Sequence, residues 1–341
     1  MKNRNKIIFR ADGNSKIGLG HLFRSFSLVE MFKDKYECVF LTRHDSLTKV
    51  IPEEYIIDII PKNILSSEEP NWIHKKYSSN EFIIIADGYH FRSSYQKKIK
   101  EYGFGFVYID DLNSEKMFAD IVINHSLNIS AKDYESTEQT KFALGCEYAL
   151  LRPKFINAAK KSREIKNINE VFICFGGADL FDLTNTALEG IINIKEIKKI
   201  HIVLGSAYTH KKIFDTLEIR KEDSFIYKDI SEQEMLELMN KCQLAIVPSS
   251  TVSYEACSLK MLVLSGYCVD NQERIYKGLY SNGLIYSGGD FNKLTADGFK
   301  QKVLEIVNYN VANYKKINAN QSKMFDGKQK ERFNKLIESI C

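Results

Sequence analysis

Chemistry in this chain concentrates first between residues 10 and 30, RADGNSKIGLGHLFRSFSLVE. His21 directly follows Gly18-Leu19-Gly20, and an imidazole, whose ordinary pKa is close to neutrality, can take up or return a proton at physiological pH. Glycines lack a Cβ, so Gly18 and Gly20 let backbone N–H groups approach a ligand closely. A helix that begins there presents unpaired amides and partial positive charge, a place for an anionic group. The apolar run Ile7-Ile8-Phe9 predicts a strand, and Asp12, Gly13, Asn14 and Ser15 predict the turn that breaks it. Leu22, Phe26 and Val29 recur at helical spacing and leave His21 and Arg24 on another face. The loop has neither G-x-G-x-x-G nor the P-loop lysine with Ser/Thr. Pattern alone therefore leaves two readings, a proton-transfer histidine beside an anion site or a histidine that caps or packs at a helix start.

Further along, Phe175-Gly176-Gly177-Ala178-Asp179 ends an apolar run. Paired glycines permit a tight turn whose amides face phosphate, while Asp179 suits an ordinary N-cap. In Val247-Pro248-Ser249-Ser250-Thr251, the proline stops a strand and the hydroxyls open a helix where a diphosphate could dock. Glu255 lies one turn inside, where the spacing admits a capping box. Asn271-Gln272-Glu273 follows another strand. Ala86-Asp87-Gly88-Tyr89-His90 and Asp110-Asp111 end strands too; strand-end aspartates commonly cap turns, so these read as structural support. No H-x-x-x-H or other dense ligand set appears in the sequence, and no metal or cofactor is expected.

The elements that must position these residues fit two domains. A chain of 341 residues is long for one core. Hydrophobic content of 44% with 27% charged residues is ordinary for a globular protein, and the net charge of +4 is spread out. Lys97-Lys98 and Lys160-Lys161 read as solvated helix faces, so nucleic acid is not an expected partner. Seven cysteines without C-x-x-C argue for free thiols and a reducing, cytoplasmic setting. The first residues, MKNRNKIIFR, read as a strand approach, too short for a signal peptide or membrane span.

Expected strands are 6–10, 37–41, 55–60, 82–86, 105–109 and 121–124, apolar on both faces as buried parallel strands are. A polar stretch at 157–169 reads as a linker, and the pattern restarts with strands at 171–175, 200–204, 225–227, 244–247 and 261–264. Met235, Leu238 and Met239 mark a helix at 232–241. The expectation is an α/β chain of two facing Rossmann-like domains, 1–156 and 170–322, with ligand in the cleft and a C-terminal helix, 323–341, packing on the first domain.

The motif R-A-D-x-x-x-x-I-G-x-G-H-x-x-R, carried by Arg10, Ala11, Asp12, Ile17, Gly18, Gly20, His21 and Arg24, resembles the opening of the pseudaminic-acid pathway UDP-sugar hydrolases. Asp110-Asp111, Asn124, Asp133-Tyr134, Gly145, Tyr148-Ala149-Leu150-Leu151-Arg152, the turn at Gly176-Gly177, Ser249-Ser250, Glu255-Ala256 and Asn271-Gln272-Glu273 continue the resemblance in order. It implies a GT-B fold and hydrolysis of UDP-2,4-diacetamido-2,4,6-trideoxy-β-L-altropyranose to sugar and UDP. It also implies a catalytic His21, with Asp12, Gly18, Gly20, Arg24, Tyr89, Gly176, Gly177, Ser249, Ser250, Glu255, Asn271 and Gln272 around the substrate, Glu255 on the ribose hydroxyls and Tyr89 on the sugar. The rivals are a GT-B glycosyltransferase using a UDP-sugar donor and a binding module without turnover.

Overall fold

The computed structural model describes residues 4–14, 17–308 and 311–341. Ser15, the last residue of the expected turn after the first strand, lies outside them. By its internal contacts the chain divides into two compact units, Met1–Pro153 with Lys328–Cys341, and Lys154–Gly327.

The strands of the first unit are Lys6–Ala11 (β1), Glu37–Arg43 (β2), Ile56–Ile60 (β3), Phe82–Asp87 (β4), Gly105–Ile109 (β5), Ile121–Asn124 (β6) and Lys141–Leu144 (β7). They form a seven-stranded sheet in the order β3-β2-β1-β4-β5-β6-β7, and each of its pairings is parallel. β4, Phe-Ile-Ile-Ile-Ala-Asp, is buried along its whole length, as a strand covered by helices on both faces must be. The strand order reverses between β1 and β4, where a crevice opens at the carboxyl ends of the strands. Ala11 pairs with Asp87 there, so Asp12 and Asp87 are delivered to the same place. A helix at Gln329–Glu338 completes this unit, with Phe333 against the Tyr148 ring.

In the second unit the strands are Glu170–Ile173 (β8), Lys199–Leu204 (β9), Ser224–Lys228 (β10), Leu244–Pro248 (β11), Leu262–Tyr267 (β12) and Tyr286–Asp290 (β13). They form a six-stranded sheet ordered β10-β9-β8-β11-β12-β13, again wholly parallel. The reversal falls between β8 and β11, whose carboxyl ends carry the Gly176-Gly177 and Ser249-Ser250 turns. The polar stretch at 157–169 lies inside this unit: a helix covers Pro153–Ala159, and Ile165 and Ile168 are buried in the core. Lys260 is buried and in the left-handed region, φ 56°, with its ammonium donating to the carbonyls of Ala159, Ser258 and Phe325. Burial pushes it down to about 8.

Charge is buried in the first unit as well. The fully enclosed Arg10 guanidinium donates to Asp12 at 2.6 and 2.8 Å and to Glu69 at 2.7 and 3.1 Å. Asp12 also accepts from the Thr42 hydroxyl and the Arg43 amide. Burial alone would raise the Asp12 pKa, but Arg10 and these donors hold it at about 2, against 3.8 for a free aspartate. A folded value below the unfolded one means stability that is complete above the unfolded pKa and lost as pH falls through the folded one, here about 2 kcal/mol. Urea denaturation of wild type and Asp12→Asn should therefore show a stability gap that narrows by about that amount between pH 5 and pH 2. A pH-independent gap would mean that the Asp12 charge is not what Arg10 is holding.

Candidate active site

His21 is the second residue of the helix Gly20–Phe32, which follows β1 directly. Gly18 sits at φ +79° and donates its amide to the Asn14 carbonyl at 2.9 Å, closing the turn that delivers the helix start. Among the described residues no side chain caps that helix, and Gly20 at its start is exposed. His21 is itself buried, together with Leu22 and Ser25, because its ring turns inward toward the end of β4.

There the His21 Nδ1 lies 2.7 Å from Asp87 Oδ1. Arg24, one turn along, donates to Asp87 at 2.6 and 2.9 Å and to Asp111 at 2.6 and 2.8 Å. Its terminal nitrogen is also 3.0 Å from His21 Nδ1, but the two protons on that nitrogen are already directed at Asp87 and Asp111. The proton between His21 and Asp87 therefore belongs to His21 Nδ1, and in the neutral imidazole this leaves Nε2 as an acceptor. Among the described residues Nε2 has no hydrogen-bond partner. Burial would raise the Asp111 pKa, yet Arg24 pulls it down to about 2. Behind this cluster His125 is fully buried, and burial followed by repulsion from Arg24 pushes it down to about 4.

His21 opens onto a cavity of about 290 Å³ with Asp12, Ile17, Asp87, Gly88, Tyr89, His90 and Arg92. The Tyr89 ring meets the His21 ring edge-on at 4.9 Å, and its hydroxyl is 3.5 Å from Asp111. On the opposite wall His90 Nε2 stands 3.6 Å from Asp12. Partial burial and then the Arg10 cation push the His90 pKa below its ordinary value. A larger space of about 370 Å³ in the second unit, bordered by Arg163, Lys260 and Asn318, contains none of the residues expected to do chemistry.

Sequence reasoning counted Asp87 as turn support and passed over His90; both face the cavity. Asp87 orients the histidine, and only the β1–β4 pairing reveals it. Asp110 does support a turn, accepting from the Leu112 and Asn113 amides and the Tyr134 hydroxyl. Arg24, expected around the substrate, spends its donors on Asp87 and Asp111. Asp12 lines the cavity, but its oxygens are committed to Arg10 and to β2.

In the second unit Gly176 has φ +87°, a turn conformation that needs glycine. Gly176 and Gly177 are exposed, and the Gly177 carbonyl accepts from the Ala207 amide. Asp179 accepts from the Leu183 and Thr184 amides at 3.0 and 2.8 Å, so a carboxylate already closes the start of the helix Leu183–Ile191. The helix Thr251–Ser258 differs, since among the described residues no side chain caps it and Ser250 stands at its entrance. Ser249 has its polar groups engaged within the fold. It is fully buried, its hydroxyl 2.8 Å from that of Ser265 and its amide bound to the Gly266 carbonyl. Glu255 is buried in the fifth position of that helix, two beyond the place a capping box requires. Gln272 turns back to accept from the Cys268 amide at 3.0 Å, while Asn271 is exposed at the start of the helix Asp270–Ser281. Among the described residues no helix is long and apolar enough to cross a membrane, and all seven cysteines are free thiols.

Solved structures with this arrangement include MurG of Acinetobacter baumannii, at a TM-score of 0.68 with 10% identity over 98% of this chain and 99% of that one. HepE of Anabaena, solved with UDP, has a TM-score of 0.63 with 14% identity over 98% and 100%. The fold is thus the GT-B fold of two Rossmann-like units. No family model matches the chain. It is 30% identical over 285 residues to the UDP-2,4-diacetamido-2,4,6-trideoxy-β-L-altropyranose hydrolase of Campylobacter jejuni, covering 82% of this chain and 97% of that one. The chain belongs to that hydrolase's family. It is also 26% identical over 263 residues to the spore coat polysaccharide biosynthesis protein SpsG of Bacillus subtilis, covering 75% and 76%. An uncharacterized protein of Methanocaldococcus jannaschii is 28% identical over 290 residues, and the match spans 80% of this chain but only 57% of that protein's length.

The donor assignment at His21 can be read directly. In protein with ¹⁵N-labelled histidine, long-range ¹H–¹⁵N correlation should show His21 protonated at Nδ1, and Asp87→Asn should abolish the preference. Protonation of His21 at Nε2 in the wild type would reverse the assignment.

Proposed function

We propose that this protein processes a UDP-linked sugar, and that its reaction is hydrolysis of UDP-2,4-diacetamido-2,4,6-trideoxy-β-L-altropyranose to free sugar and UDP in pseudaminic acid biosynthesis. The observation that carries this reading is the His21–Asp87 pair opening onto a cavity in a chain of that family. With Nδ1–H donated to Asp87, the Nε2 lone pair is available to take a proton from water as it attacks the sugar C1. Asp87 then balances the imidazolium, and Arg24 holds Asp87 in place. Tyr89, beside the imidazole, bounds the space for the sugar. In the second unit the uncapped helix entrance at Ser250 and the Gly176-Gly177 turn offer amides to the departing diphosphate, and Glu255 is assigned to the ribose.

The carboxylates bordering the cavity, Asp12 and Asp87, are both engaged by arginine. A covalent glycosyl intermediate needs a free carboxylate at C1, so a single displacement by water, with inversion, fits better. Transfer to an acceptor hydroxyl is the second reading, favoured by the likeness in fold to glycosyltransferases such as CalG4. Incubation with the UDP-sugar and no acceptor separates the two, since only a hydrolase releases UDP.

His21→Ala should lower turnover by about 10²-fold or more while UDP binding, read by calorimetry, stays within a few fold. Activity close to wild type would remove His21 from the base role. In ¹⁸O-water the label should enter the free sugar and leave UDP unlabelled; label in UDP would mean attack at phosphorus and end the C1 mechanism.

A further inference from the structure

We propose that Glu170, His201 and Cys242 bind a divalent ion of the zinc class, at a site in the second unit built from none of the residues assigned above to the UDP-sugar. These residues are far apart in sequence, and the sheet brings them together. β8 and β9 pair with Phe172 opposite His201, and side chains alternate along a strand, so Glu170 shares the face of His201. Phe225 on β10 pairs with His201, which puts Tyr227 on that face too. Cys242 ends the helix Glu232–Lys241 just before β11, which pairs with β8 from Leu244 onward. A carboxylate oxygen, an imidazole nitrogen and a sulfur result, all within 4.8 Å of one another.

The imidazole is oriented as ligating histidines usually are. Its Nε2 lies 2.8 Å from Glu170 Oε2, and its Nδ1 lies 3.1 Å from the Tyr227 hydroxyl. With Nε2 on an ion, Nδ1–H donates to Tyr227, the outer hydrogen bond that fixes tautomer and ring direction. The ring also stacks on Phe225 and Tyr227, with centroids at 5.4 and 5.9 Å. One oxygen, one nitrogen and one sulfur donor form a set that selects zinc over magnesium or calcium. Tetrahedral coordination places such donors about 3.3 to 3.6 Å apart, so a small closure around the ion suffices and a water takes the fourth position. The Cys242 proton leaves to solvent as the S–Zn bond forms, and the thiolate and Glu170 carboxylate together balance the double charge. Cys242 and His201 are buried while Glu170 is partly exposed, which supplies an entry path. The nearby Arg163 guanidinium is aimed at the carbonyls of Met239, Asn240 and Cys242 and not at the three donors.

The site joins the amino ends of three strands, away from the carboxyl-end turns of the same sheet, so its effect is on the stability of this unit. The test uses the full chain, stripped with chelator and titrated with Zn²⁺ against a chromophoric chelator, then separately with Co²⁺. The expected result is a single ion per chain and a Co²⁺ complex with thiolate-to-metal absorption. That absorption should vanish in Cys242→Ser and persist in Cys341→Ser, which removes the exposed terminal thiol. Glu170→Gln, a near-isosteric change on a partly exposed side chain, should weaken Zn²⁺ binding about tenfold or more. A wild-type chain that takes up no ion, a thiolate signal that survives Cys242→Ser, or Zn²⁺ affinity unchanged in Glu170→Gln overturns the proposal.

Discussion

The Arg24 guanidinium sits between two like-charged carboxylates and hydrogen-bonds to both. Asp87 ends β4 and Asp111 follows β5, its parallel neighbour, so the pairing that makes the sheet also brings their charges close. Arginine suits this place because its planar fork presents several donors and keeps its charge at any accessible pH. With a neutral imidazole the group of Arg24, Asp87 and Asp111 carries one net negative charge next to His21. That surplus is oriented by geometry, since Asp87 addresses Nδ1 and leaves the opposite nitrogen facing the cavity. Burying such a group is costly unless every member is satisfied, which is why the hydrogen bonds here are many and short.

The same construction recurs on the other wall. Arg10 is enclosed between Asp12 and Glu69, Glu69 also receives the Tyr95 hydroxyl and Arg43, and His90 faces Asp12 from the cavity side. Two guanidinium–carboxylate clusters thus bound one small space, each with a histidine at its edge. They differ in what they ask of that histidine. His21 is hydrogen-bonded to a carboxylate that balances a proton gained, whereas His90 stands farther from Asp12, under the influence of the Arg10 cation.

Much of this architecture was legible because buried parallel strands are continuous apolar runs. β4 and β11 could hardly be read otherwise. β7, Lys-Phe-Ala-Leu, and β13, Tyr-Ser-Gly-Gly-Asp, escaped notice because edge strands need fewer apolar residues and β13 carries two glycines. The stretch at 157–169 reads as a linker from its polarity and most of it is exposed, yet Ala159, Ile165 and Ile168 are buried and tie it to the second unit. At the site, the glycine turn and His21 were visible because they are contiguous. Asp87 was not, since its meaning depends on β1 lying beside β4 and not on any spacing in the chain. For the same reason Ser249, Arg24 and Gln272 were expected to meet ligand, whereas their partners within the fold, Ser265, Asp111 and Cys268, come from elsewhere in the sequence.

The return of Lys328–Cys341 to the first unit has a consequence for the order in which the protein is made. A nascent chain generally folds domain by domain from its N-terminus. Here the ribosome finishes Gly327, the last residue of the second unit, before the first has received the helix carrying Phe333. The Tyr148 ring waits uncovered throughout that interval, with the carbonyl of Glu147 that Arg332 will later reach. The half begun first is therefore completed after the second, and it must persist through that stretch of translation without the helix that packs against Gly20–Phe32.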